Sequence, residues 1–253
     1  MEQIVDIDDP SSWLREVRST VEGVLGRVTD RAWGDDPYDH LGWSDSEEDE
    51  LRLREQLADC RIVGYHATRL LPHEIADIRD GTGLSVLTND LRRQKVDDAR
   101  RYFPSVFDND DPDGIRLLRS GPNDWQDSAH VRLGFLDFVA PFTMFHHDAR
   151  GLMNLFDTWG GETLGWLADG TDSIALSQHL TALSEPVIVE FGARVPTLNL
   201  TPLLPAFAGR LGEVPGRYWH QWRTTESIPP AFVLNIITTT STRWPPSLDG
   251  YRS

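Results

Sequence analysis

The sequence predicts an α+β fold, and three observations carry that prediction. Apolar residues recur at helical spacing over about 13–25 and again over 51–57. Strand-like and helix-like segments then interleave without the regular alternation that a doubly wound parallel sheet requires. The β-branched segments gather towards the C-terminal end.

Asp9-Pro10 reads as an N-cap with proline at the first helical position, and Trp13, Leu14, Val17, Val21, Val24 and Leu25 follow at helical intervals. Residues 30–50 are an acidic, turn-rich loop. It leads into a second helix, where Ser44 and Glu47 have capping-box spacing and Leu51, Leu53 and Leu57 supply apolar surface. Ile62 to His66 is a short strand, Pro72 to Arg79 a short helix with Ile75 and Ile78 turned inward, and Gly81 and Gly83 end it. Thr88 to Tyr102 is a charged helix stopped by Pro104, and residues 107–128 are an irregular excursion. Val131 to Val139 is a strand. Helices follow over about 148–158 and 172–183, separated by the turn Trp159-Gly160-Gly161-Glu162. Pro186 to Val195 is the clearest strand, Pro202 to Leu211 a helix, and Arg217 to Thr224 and Phe232 to Thr240 are late strands. The expected organisation is a helical appendage over residues 1–58, including the acidic loop, and an α+β domain over 59–253.

Composition narrows the function. The 253 residues include 24 basic and 40 acidic side chains, a formal net charge of -16 that repels phosphate backbones, so broad nucleic-acid binding is not expected. The cluster Arg92, Arg93, Lys95, Arg100 and Arg101 reads as a solvated helix face. Cys60 is the one cysteine, which excludes an intrachain disulfide and a cysteine-based zinc site. No stretch is long and apolar enough to span a bilayer and the N-terminus lacks a leader pattern, so the expectation is a cytoplasmic protein without membrane contact. Glycine-rich dinucleotide and P-loop fingerprints, HExxH and GxSxG are all absent. His146-His147-Asp148 offers metal-ligand types, but adjacent histidines diverge, and no metal is expected.

The most informative segment is RIVGYHATRLLPHEIADIRDGTGLSV, residues 61–86. Tyr65, His66 and Thr68 end an apolar strand, Ile75 and Ile78 lie in the helix that follows, and Gly83-Leu84 closes the unit. This resembles the first strand of the ADP-ribosyltransferase fold, found in poly(ADP-ribose) polymerases, bacterial toxins and RNA 2'-phosphotransferases. The resemblance implies two small, mostly antiparallel sheets around a cleft, with NAD as substrate. It implies that His66 bonds the ribose beside the nicotinamide and that the backbone at Ala67, where the family has glycine, contacts the amide. Tyr65, Thr68 and Arg69 belong to the same binding segment, Arg69 either as a partner for the pyrophosphate or in an ordinary salt bridge. A histidine that merely caps its strand is the competing reading. The YHxTR strand together with WGGE also resembles uncharacterised bacterial proteins, a likeness that implies no activity.

Cleavage of NAD+ at the glycosidic bond passes through an oxocarbenium-like state, which a carboxylate stabilises. Three glutamates are candidates. Glu162 follows two glycines in LMNLFDTWGGETLGW, where it can equally begin a helix. Glu226, in TTESIPPAFVLNI, resembles the family's closing segment. Glu190, in PVIVEF, can equally lie on the wet face of an edge strand. Phe138, Phe142 and Tyr102 are the aromatics available to stack on nicotinamide. The expected activity is ADP-ribosyl transfer to a protein or nucleobase acceptor, or NAD hydrolysis, in a toxin or defence setting. The alternative is a binding module of the same fold without chemistry.

Overall fold

In the computed structural model, the described residues are 2–28, 43–102, 104, 133–147, 155–157, 178–199, 202–212 and 221–251. They form an α+β structure built on one seven-stranded sheet. The elements are β1 (Gln3–Val5), α1 (Arg15–Val28), α2 (Trp43–Gln56), β2 (Cys60–Leu70), α3 (Pro72–Asp80), α4 (Asn89–Tyr102), β3 (Leu136–Val139), α5 (Met144–His147), β4 (Glu185–Arg194), β5 (Leu198–Asn199), α6 (Leu204–Leu211), β6 (Gln221–Thr224) and β7 (Val233–Thr238).

The strand order is β5-β6-β3-β2-β4-β7, with β1 added parallel to β2 and all other pairs antiparallel. β2 and β4 form the spine, paired without interruption from Arg61↔Arg194 to Leu70↔Glu185. The other edge of β2 is shared. β1 takes Cys60 to Ile62, and β3 meets β2 only at Tyr65↔Val139. The two sheets expected from the sequence are therefore one sheet, and its two strand sets, β2-β4-β7 and β3-β6-β5, join at that single pair.

β2 is longer than expected. Thr68, Arg69 and Leu70 continue the ladder with β4 instead of turning, so His66 sits mid-strand. The side-chain alternation of β2 separates two cores. Ile62 and Leu70 belong to the main cluster, with Val187, Val189 and Phe191 of β4, Phe138, Trp222, and Val17, Val21, Leu53 and Phe207 of the helices. Val63, Tyr65 and Ala67 face the second cluster, with Phe145, Phe156, Ile188, Ile237 and Trp244.

Residues before 58, expected as an appendage, supply β1 and much of the main core. Val5, Ile7, Val17 and Val21 are fully buried, and Trp13 meets Phe207 of α6 edge-on at 4.8 Å. Each such aliphatic side chain contributes about 1.5–3 kcal/mol when fully withdrawn from water. Asp9 caps a separate 3-10 turn, Pro10–Ser12, its carboxylate accepting from the Ser11 N–H at 3.0 Å, and the helix expected to open at Pro10 begins only at Arg15. Cys60 is buried. Among the described residues no helix is long and apolar enough to cross a membrane.

Two glycines are required by contact. A Cβ at Gly64 would lie 2.4 Å from the Phe138 ring, so the bare backbone there lets β3 cross close to β2. Gly83 has φ +80, and a Cβ would lie 2.1 Å from the Ile228 carbonyl. That position sets up the antiparallel bridge Leu84↔Ile228, which brings the end of the α3 unit against the segment that carries Glu226.

Candidate functional site

His66 points to the main-core side of the sheet, because Tyr65 and Ala67 on either side of it face the second cluster. Its ring is partly exposed. Nδ1 lies 2.8 Å from the backbone carbonyl of Asp137 in β3. A carbonyl only accepts, so Nδ1 carries the hydrogen, and in the neutral ring Nε2 is left as an acceptor. Burial lowers the His66 pKa. The Asp137 carbonyl and carboxylate oppose that shift, and Lys95 adds to it. The lowered pKa favours the neutral ring, and the bond to the Asp137 carbonyl favours the tautomer with the hydrogen on Nδ1.

Asp137 is held in turn from β6. It pairs with Arg223 in the ladder, and its carboxylate accepts from Arg223 Nε at 2.5 Å. Glu226 follows three residues after Arg223. Its N–H donates to Thr224 Oγ1 at 3.1 Å, which turns the chain out of β6. Oε1 of Glu226 is 4.0 Å from Arg61 Nη2, whereas Oε2 is buried and has no hydrogen-bond partner among the described residues. A buried carboxylate oxygen without a donor is costly and marks a position where a hydroxyl could bind. Thr68 lies on the His66 side by alternation.

The remaining expected binding residues face elsewhere or are engaged in the structure. Tyr65 is buried in the second cluster, packs on Phe142 at 4.9 Å between ring centroids, and donates to Glu190 Oε1 at 3.4 Å. Burial first, then the charges of Asp6, Glu190 and Asp8, push its hydroxyl far up from the usual tyrosine value. Ala67 is buried among the same apolar neighbours. The Arg69 guanidinium is used within the protein. It donates to the carbonyls of Phe156 at 2.7 Å, Thr181 at 3.0 and 3.2 Å and Ser184 at 3.2 Å, and to Ser184 Oγ at 3.0 Å. Pyrophosphate recognition by Arg69 would cost those bonds.

Glu190 is corrected in two respects. β4 is a central strand, and Glu190 is buried rather than on a wet edge. It also sits opposite Tyr65 and faces the second cluster, so Glu190 and His66 are on opposite sides of the sheet. There it accepts two bonds from the Arg243 guanidinium, at 2.5 and 3.0 Å. Glu162 and the WGGE turn lie outside the described residues. Phe138 is core, packed on Phe191 and Trp222, and Phe142 is on the Tyr65 side. His146 meets Phe142 edge-on at 5.6 Å, and among the described residues no group of three ligands could hold a metal.

Sequence reasoning missed the Asp137 carbonyl as the partner of His66, the Arg223–Asp137 ion pair, and Arg243, which pairs with Glu190. Asp137 was visible as a charge interrupting an apolar strand. Arg243, in a polar turn beyond the last strand, gave no signal. No protein-family model, curated protein or solved structure matches the chain.

Proposed function

We propose that the chain binds NAD+ and breaks its nicotinamide–ribose bond, passing the ADP-ribosyl group to a protein side chain, a nucleobase or water. His66 orients the ribose through Nε2, and Glu226 supplies the carboxylate that meets the developing oxocarbenium charge. One observation carries this reading. His66 is held through the backbone carbonyl of Asp137, and Glu226, beside Arg61, has a buried Oε2 that lacks a hydrogen-bond donor among the described residues. A ribose hydroxyl would supply that donor, and binding energy used there grows as positive charge forms on the ring. Glu190 is set aside as the catalytic group because it faces the other core.

The non-catalytic alternative also has a supporting observation: Tyr65 and Arg69, two of the five expected binding residues, are committed to the fold. Both readings are tested by incubating purified protein with NAD+ and measuring free nicotinamide. Wild type is expected to release it, Glu226→Gln and His66→Ala to lose most of the rate, and Glu162→Ala reports whether that carboxylate takes part. NAD+ that raises the melting temperature without nicotinamide release would establish the binding module instead. Neither effect in wild type would end both readings.

A further inference from the structure

At the Cys60 end of β2, the sheet sets two guanidinium-bearing residues directly opposite each other. Arg61 of β2 is the cross-strand partner of Arg194 of β4. Like charges at directly opposed positions repel. The arrangement is also far from the protein's average, since acidic residues outnumber basic ones by 40 to 24. The Arg61 side chain is only 4 % exposed. Its Nη1 donates to the Gly192 carbonyl at 3.0 Å, and its guanidinium carbon stands 3.5 Å over the Phe232 ring. A guanidinium this buried requires an anion.

Glu2 supplies one. One oxygen of its carboxylate accepts from Arg61 Nε, and the other is 3.8 Å from Arg194 Nε, so a single carboxylate bridges the opposed pair. Glu226 approaches Arg61 separately, at 4.0 Å. The bridge is open to solvent, with the Glu2 side chain 40 % and the Arg194 side chain 45 % exposed. Glu2 precedes a three-residue strand, so its side chain can swing out without breaking the β1–β2 pairing. Two guanidinium groups around two oxygens of one anion is the arrangement that recognises phosphoryl groups as well as carboxylates.

We propose that Arg61 and Arg194 form a binding site for a phosphoryl group, and that Glu2 occupies it in the absence of ligand. The inference rests on ion-pair geometry and is independent of NAD+ cleavage. A tethered carboxylate competes at an effective concentration of about millimolar or above, so removing its charge should tighten an incoming anion by about tenfold.

The test is isothermal titration of the full chain with inorganic pyrophosphate, comparing wild type, Glu2→Gln and Glu2→Gln/Arg194→Ala. Glu2→Gln is expected to bind about tenfold tighter than wild type, and the added Arg194→Ala to remove that gain. Parallel titrations with inorganic phosphate and ADP-ribose distinguish a free anion from a nucleotide's phosphoryl group as the source. Equal affinity of wild type and Glu2→Gln, or a gain that survives Arg194→Ala, overturns the proposal. Should Glu2→Gln fail to fold, the wild-type protein decides. Saturating pyrophosphate must shift the amide resonances of Glu2 and Gln3, and unmoved resonances overturn it.

Discussion

Replacing Arg69 with alanine separates a structural arginine from a ligand-binding one. Its guanidinium donates to the Phe156, Thr181 and Ser184 carbonyls and to Ser184 Oγ, tying β2 to residues 155–157 and to 178–184. Burial lowers its pKa, and among the described residues Tyr251, Asp157 and Glu185 oppose that shift. Counting only the Phe156 and Ser184 carbonyls, at about 1–3 kcal/mol for each acceptor left without a donor, gives about 2–6 kcal/mol. Water entering through the exposed part of the site recovers some of this, and about 3 kcal/mol is expected. For a chain of this size that is a fall of roughly 6–12 °C in melting temperature. Calorimetry on wild type, Arg69→Ala and Arg69→Lys measures it. Lysine should lie between the two, because an ammonium cannot span the same acceptors. NAD+ binding by the folded fraction should be unchanged. An alanine variant that melts with wild type but no longer binds NAD+ would refute the structural assignment and restore the pyrophosphate role.

Arg243→Ala leaves the buried Glu190 without its counter-ion. Breaking a buried pair costs about 3–5 kcal/mol, and the half-exposed arginine reduces this to about 2–3 kcal/mol; Arg243→Ala/Glu190→Gln should recover part of it in urea unfolding. Asp6 has its pKa raised by burial first, with Asp8, Glu190 and Asp9 adding to the effect against the Asp8 N–H bond. The folded state therefore holds that proton more tightly than the unfolded one, and stability falls as pH rises through the Asp6 titration above 3.8. Asp6→Asn should be more stable than wild type at neutral pH, and the difference should vanish at pH 3 in denaturant melts. Gly64→Ala forces the Phe138 ring to move and should destabilise by about 1–3 kcal/mol, with Phe138→Leu in the same chain returning part of the loss.

Much of the element plan was legible because periodicity and punctuation agreed. Pro72 opens α3, the charged run to Tyr102 is α4, and PVIVEF is the central strand β4. β1 was missed, since three residues within an acidic lead make no pattern. Its position depends on pairing with residues 60–62, a contact between distant parts of the chain. The end of β2 was misread because Thr-Arg-Leu before proline looks like an exit from a strand. The ladder with β4 and the Arg69 bonds carry it onward, a tertiary effect that local propensity does not contain. The two residues on which the proposed function rests, His66 and Glu226, were both named from local pattern, Glu226 through Ile-Pro-Pro. Alternation in PVIVEF puts Glu190 and Ile188 on one face. It could not show that His66 faces the other way, because that depends on the register of β2 against β4.

The narrow seam between the two strand sets has a mechanical consequence. One edge of β2 is welded to β4 over ten pairs, while β3 touches the other edge at one. A change in the angle between the halves therefore costs few hydrogen bonds, and it is concentrated at Tyr65. His66, the next residue, donates across the seam to Asp137, so any such rocking is felt first as a rotation of the imidazole, and a ligand gripping that ring would lock the two halves together.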